Sequence, residues 1–308
     1  MNYGLKRDVI GSSSFLDISL QEYENIKIAK ANLLEMLFIE EKFDVVIENY
    51  LEFELELLKI PARYMVLRNV SYALHYDNKN IINRRLVNSL SSCRSYLDHT
   101  KHHLNNIFGK DSQIVKEIEE FKNNQYDQYL GYRVMEALRN YVQHRGFAIR
   151  SATTEMRSIE LELGNKIRFT LTPYIYPDDL GEDMDFKKPI LEELRSLGKR
   201  IDAKLLLRDY IASLGRVHEK IRALLKEDIK NWTQTILNAI NHFKNNYPNE
   251  PSIVGLAAMI KNDDATYSQP VYLFKEFMEY RQQLEKKNSN LNTLGKRYVS
   301  SEVIEPAS

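Results

Sequence analysis

Along most of this chain apolar residues recur every three or four positions, the spacing that predicts amphipathic helices. Ser19-Leu20-Gln21-Glu22 reads as a capping box, a serine cap with a glutamate three residues on. A helix follows to about Glu40, with Ile26, Ala29, Leu33, Met36 and Leu37 on one face. A second helix is predicted from about Phe43 to Lys59; Pro61 interrupts it, and a short helix runs on to His75. Asn78 or Lys79 opens a long helix to Phe108, striped by Ile82, Leu86, Leu90, Cys93, Leu97, Leu104 and Phe108. Gly109 is placed to end it with a left-handed cap. A shorter helix spans Asp111 to Phe121. After the break at Asn123-Asn124-Gln125, another runs from Leu130 to Arg145, closed by Gly146.

Between these helices lies one clear alternating stretch. Ile159 to Leu163 alternates apolar and charged residues, Gly164-Asn165 reads as a turn, and Lys166 to Leu171 alternates again. This predicts a β-hairpin within about 156–172, which must pack on something because an isolated hairpin is marginal in water. The acidic run Asp178 to Asp185 lacks calcium-loop spacing and reads as a solvated loop. Helical pattern resumes near Pro189. From Asp202 to Asn245 it predicts one very long helix, or two broken near Lys226. Pro248 and Pro251 mark a boundary. Beyond it, Ser252 to about Lys287 reads as helical and Asn288 to Ser308 as a disordered tail.

Composition agrees with a mainly α fold. The 308 residues include only 11 Gly and 8 Pro, few for a strand-and-turn architecture, and 43% are hydrophobic, enough for a sizeable core. Lysine plus arginine number 43, as do aspartate plus glutamate. Without a basic excess, any nucleic-acid contact must be local, selective or dependent on a second subunit. The lone Cys93 forms no intrachain disulfide, builds no cysteine zinc site, and fits a reducing compartment. No run of about 18 apolar residues predicts a membrane span, and Met1 to Gly11 has no apolar leader, so a cytoplasmic location is expected.

The candidate chemistry sits at Arg139-Asn140-Tyr141-Val142-Gln143-His144, near the end of a predicted helix. RNA can be cleaved by its own 2′-hydroxyl attacking the adjacent phosphorus. The reaction needs a base at the hydroxyl, an acid at the leaving 5′-oxygen, and a cation for the extra phosphate charge. Histidine can take either proton role, its reference pKa of about 6.5 lying near working pH. Arginine supplies planar, permanently charged donors that fit phosphate oxygens. No metal is required. Residues five apart on a regular helix differ by about 140°. Arg139 must therefore reach around, or the helix end must redirect His144, with Asn140 holding a phosphate oxygen or pinning the arginine. The bland alternative pairs Arg139 with Glu136 and lets His144 cap the last carbonyls. An arginine also precedes a histidine at Arg94-x4-His99, with the same spacing, and at Arg68-x6-His75, with two residues more.

The tract Tyr132 to His144, with its polar Asn140 after the arginine, resembles the Arg-x4-6-His motif helix of the HEPN superfamily. The segment Ala73 to Gly109 resembles that family's long partner helix. The resemblance covers about Lys79 to Gly146 and extends loosely to the helix from Asp202. It implies an antiparallel helical bundle over 1–250 (core about 79–146 plus 202–246) with the hairpin inserted. A helical extension and tail would occupy 251–308. It further implies a metal-independent endoribonuclease of a bacterial toxin or phage-defence type, acting as a homodimer with a composite site. Arg139, His144 and Asn140 would be its catalytic residues. An antitoxin or defence partner protein is the expected companion, and no cofactor is implied. The alternative is a non-catalytic scaffold of the same fold that binds a partner protein, a nucleotide or RNA. The neutral charge and the heptad-like stretch after Asp202 favour that alternative.

Other groups have plainer readings beside functional ones. In Asp98-His99-Thr100-Lys101-His102-His103, the pairs His99/His103 and Asp98/His102 stand four apart, a spacing that can bind zinc. A solvated helix face is the commoner reason, and no metal is assigned. Asp98 and His99 are also candidates to orient Arg139 or His144 from across a bundle. Arg145 and Arg150 could form a phosphate-binding rim or offset the negative helix end. Tyr126, Tyr129, Tyr132 and Tyr141 could stack bases or belong to the core, Tyr141 being the candidate RNA contact.

Overall fold

A computed structural model of the chain describes residues 2–67, 71–159, 165–250 and 252–299. Most of these residues are helical. In chain order the elements are β1 (Asn2–Arg7), β2 (Phe15–Ile18), α1 (Leu20–Leu67), α2 (Tyr72–Phe108), α3 (Gln113–Gln128) and α4 (Leu130–His144). Then come β3 (Ser151–Ile159), β4 (Lys166–Ile175), α5 (Pro177–Gly181), α6 (Lys188–Leu197), β5 (Ile201–Asp202), α7 (Ala203–Leu224) and α8 (Lys226–Asn246). The last are β6 (Leu256–Lys261), β7 (Tyr267–Tyr272) and α9 (Glu276–Lys287), followed by a 3₁₀ turn at Leu294–Lys296. Among the described residues no helix is long and apolar enough to cross a membrane.

The chain divides into two compact units that are interleaved in sequence. The first draws on Met1–Asp44, Asp98–Lys116 and Lys220–Ser289; the second on Val45–Leu97, Glu117–Glu219 and Asn290–Ser308.

In the first unit the capping box forms as its sequence predicts. The Ser19 amide and hydroxyl both donate to Glu22 Oε2 at 2.8 Å, and the Glu22 amide donates back to Ser19 Oγ at 3.1 Å. Ile26, Ala29, Leu33 and Met36 are buried on the face their spacing assigns. Glu40, fully buried, is neutralised by Arg222, whose Nε lies 2.9 Å from Oε1. Gly109 takes φ of 82°, the left-handed cap expected at the end of α2.

The largest departure from the sequence reading lies here. An antiparallel sheet runs in the order β2-β1-β6-β7, with Asn2–Arg7 paired along Leu256–Lys261. The stretch from Ser252 that the sequence reads as helical therefore holds β6 and β7, and among the described residues beyond 251 α9 is the one full helix. Leu256-Ala257-Ala258-Met259 is a run of good helix formers, so local propensity points the wrong way. Pairing with β1 overrides it and buries Leu256 to Ile260. The expected disordered tail also begins too early. Asn288 is buried and donates to Asp44 Oδ1 at 2.8 Å, and Arg222 Nη1 donates to the Asn288 carbonyl at 3.1 Å. Residues 300–308 of that tail lie outside the described residues.

The second unit holds the hairpin and the motif helix. β3 and β4 pair from Ser151↔Tyr174 to Ile159↔Lys166, and the two-residue β5 adds to β4. The hairpin is as expected, but its first strand starts at Ser151. The predicted Glu160 to Leu163 and the Gly164 half of the turn lie outside the described residues. Two predicted breaks are absent: α1 runs unbroken past residues 41–42 and through Pro61 to Leu67. A proline costs a helix one amide and a clash with the preceding turn. Here a long stretch with Tyr50, Phe53, Leu57, Ile60 and Tyr64 all buried offsets that cost. Conversely, the alternative break near Lys226 is real, at Leu225 between α7 and α8.

Candidate functional site

Helix α4 is positioned at both ends by contacts that its own sequence does not reveal. Its cap residue, Tyr129, makes no side-chain capping bond. The carboxylate of Asp209 on α7 takes that place, accepting the Gly131 amide at 3.0 Å. Burial of Asp209 pushes its carboxyl above the usual range, while the Gly131 amide, Arg216 and Arg133 pull it back. Gly131 is where α4 meets α7, since a Cβ there would stand 2.5 Å from the Leu206 carbonyl oxygen. Just past the other end, Asn83 of α2 is fully buried and grips the backbone of Ile149. Its Nδ2 donates to the Ile149 carbonyl at 2.9 Å, and the Ile149 amide donates to its Oδ1 at 3.0 Å. A lone asparagine in a helical stripe carries no such signal in sequence.

Between these anchors α4 is amphipathic. Tyr132, Val134, Met135, Ala137, Leu138 and Tyr141 are buried, leaving Asn140 and His144 exposed one turn apart. The helix closes just before Gly146, which has no positive φ; Arg145 and Gly146 both donate to the Tyr141 carbonyl, at 2.8 and 3.4 Å. Glu136 is not the partner of Arg139. It accepts the Tyr210 hydroxyl and lies 3.7 Å from Arg94 Nη1. Arg139, half-buried, instead turns to its neighbour, Nη1 donating to Asn140 Oδ1 at 3.0 Å. The Arg139 Nε is buried with no hydrogen-bond partner among the described residues.

Asn140 and His144 line a groove of about 180 Å³ with Ala137, Tyr141, Arg145, Asp183, Asp185, Phe186 and Lys187. Arg139 does not line it, although its guanidinium touches the asparagine that does. The far wall is the acidic segment. Asp183 Oδ1 lies 3.0 Å from Arg145 Nε and Asp185 Oδ2 lies 2.7 Å from Arg145 Nη2. Arg150 is held by Asp179 at 3.3 Å, and its Nη2 donates to the Tyr141 hydroxyl at 3.3 Å. Residues 178–185 are thus not a free solvated loop. Part is helix α5, and three of its acids pair with the two arginines of the expected phosphate rim. Tyr141 is a core residue, buried and edge-on to Phe186 at 6.3 Å between ring centres, so its ring is no open stacking platform. Tyr132 is likewise buried, and Tyr129 carries Arg216 over its ring at 3.9 Å.

The remaining sequence candidates belong to other stretches of the chain. Asp98 and His99 belong to the first unit, Arg139, Asn140 and His144 to the second. His99 packs at 6.0 Å from His103, which bonds to Glu35. Desolvation pushes its imidazole pKa down, helped by Lys42 and the neighbouring histidines. Among the described residues no group of three or more histidine, cysteine, aspartate or glutamate side chains is arranged to hold a metal ion. Arg68 of the second spacing match lies outside the described residues. Arg94 of the other is turned to Glu136. No family model, no curated protein and no solved structure matches the chain.

Proposed function

We propose that the C-terminal end of α4 is the site of a metal-independent endoribonuclease. His144 exchanges the proton of the attacking 2′-hydroxyl or of the leaving 5′-oxygen. Asn140 holds a phosphate oxygen, and Arg139 offsets the extra negative charge of the pentacoordinate phosphorus. The 2′-oxygen bonds to phosphorus as the bond to the 5′-oxygen breaks, so no outside reactant is needed. One observation carries this reading. The Arg139 guanidinium is drawn onto Asn140, whose side chain opens with His144 onto one groove. The five-residue spacing that separates arginine from histidine around the helix is thereby bridged through the asparagine. The resemblance alone carries the toxin or phage-defence setting and the composite dimeric site. A neighbouring gene for a small nucleotidyltransferase would support the toxin version.

The test is RNA cleavage in EDTA by wild type and by His144→Ala. Loss of cleavage in the variant, with its fold intact, is the expected result. Equal cleavage by both proteins refutes the role of His144. Absence of cleavage in both favours the second reading, a non-catalytic scaffold. The pairing of Arg145 and Arg150 with Asp183, Asp185 and Asp179 favours that reading, because it leaves the rim little net positive charge.

A further inference from the structure

The second half of α1 is apolar on two sides. One side, with Val46, Tyr50, Phe53, Leu57, Ile60 and Tyr64, is buried and serves the core of the second unit. The other carries Leu51, Leu55, Leu58 and Met65, exposed by 46, 52, 44 and 54%, with Ala62 exposed among them. Single exposed leucines are ordinary on a protein surface, but a contiguous stripe is not. The intervals here are four, three, four and three, the seam of a two-helix coiled coil. Over these residues the stripe runs about 21 Å along the helix.

Charge identifies what covers it. Glu48 and Glu52 flank the N-terminal half of the stripe; Lys59 and Arg63 flank the C-terminal half, all four exposed. Glu52 is also fixed by Arg85 of α2. All four lie on one flank of the stripe, which a parallel copy would face with the opposite flank of Ile47, Glu54 and Pro61, where the one acid, Glu54, is already held by Arg208. An antiparallel copy, related by a two-fold axis near Leu58, sets Leu51 against Met65, Leu55 against Ala62 and Glu52 against Arg63. The surface is complementary to itself only in that arrangement. An anionic lipid surface would select lysine and arginine along the whole length, which Glu48 and Glu52 oppose.

We infer that Leu51–Met65 is a dimer interface, pairing antiparallel with the same segment of a second copy of this chain. The inference does not rest on the ribonuclease reading, and nothing in it requires His144. A helix pair of about four turns buries at most roughly 1,200 Å², the low end of specific interfaces. The dimer is therefore expected to dissociate on dilution into the low micromolar range.

The experiment is sedimentation equilibrium of the full chain across about 1 to 200 μM, a range that brackets micromolar dissociation. Wild type should rise toward twice its monomer mass. Leu55→Glu/Leu58→Glu should stay monomeric with an unchanged circular dichroism melt. A monomeric wild type at the highest concentration overturns the inference, as does a variant that associates like wild type. A wild type that floats with anionic vesicles but never dimerises assigns the stripe to lipid and overturns it too. Orientation is read by oxidation of introduced cysteines, native Cys93 being buried. Leu58→Cys should cross-link to its own copy. Leu51→Cys should not, because antiparallel copies hold those positions about 21 Å apart, beyond disulfide reach. Cross-linking at both positions would mean a parallel pair and overturn the antiparallel assignment.

Discussion

Asp183 holds Arg145: its Oδ1 lies 3.0 Å from the guanidinium Nε, with Asp185 on the same arginine at 2.7 Å. The pair borders the groove that Asn140 and His144 line, so a carboxylate stands beside the position where a phosphate would bind under the proposed function. Neutralising both acids in Asp183→Asn/Asp185→Asn should free Arg145 for an incoming polyanion. We expect RNA affinity to rise about fivefold to tenfold at low salt, about 1 kcal/mol, and the gain to fade as salt screens it. Filter binding at two ionic strengths reads this. Unchanged affinity at low salt would mean that the acidic segment does not compete with RNA.

The Asn83 side chain satisfies both backbone groups of Ile149, in a site without exposure to water. Asn83→Leu keeps the volume roughly constant and strands a buried amide and carbonyl. The expected cost is about 2–4 kcal/mol in unfolding free energy. Urea denaturation measures it, and a loss within about 0.5 kcal/mol of wild type, the range of ordinary surface substitutions, would contradict the assignment.

Gly131 offers a sharper steric case. On an isolated helix Gly→Ala gains about 1 kcal/mol. Here the new methyl would meet the Leu206 carbonyl oxygen at 2.5 Å and the Asp209 Cβ at 2.7 Å. Backbone cannot swing aside as a side-chain tip can, so Gly131→Ala should destabilise by about 2–3 kcal/mol. It should also lower the proposed cleavage activity, because it shifts the helix that carries His144. A stabilised variant would show that α4 and α7 do not approach as closely as described.

Local signals in the sequence were sufficient wherever an element is decided by its own residues. Ser19 and Glu22 announce the start of α1, Gly109 ends α2, and the alternating residues from Lys166 to Leu171 lie on β4, paired with β3. The same logic fails for the first unit's sheet. Gly4 and Met259 are partners across 255 positions of chain, and neither strand has an alternating pattern to advertise it. At the candidate site, the motif helix and the exposure of Asn140 and His144 follow from helical spacing. The Asp209 cap, the Asn83 clamp and the acid wall on Arg145 do not. Each joins residues distant in sequence, and each side chain read locally is merely polar.

The Asp209 cap also gives the fold a pH signature with a definite sign. Desolvation raises the folded-state pKa of this carboxyl above its usual value, against the opposing pull of the Gly131 amide. A raised folded pKa favours the folded state below the unfolded value, and that advantage is lost as pH rises through the folded value. Asp209→Asn keeps an acceptor for the Gly131 amide and sheds the buried charge. Relative to wild type it should therefore gain stability on passing from about pH 3 to pH 7. Asp209→Ala removes the acceptor as well and should be destabilised at both pH values by about 1–2 kcal/mol, the cost of a lost helix cap. Parallel thermal melts of the three proteins across that range would decide it. A pH-independent gap between wild type and Asp209→Asn would mean that Asp209 titrates as it does in the unfolded chain.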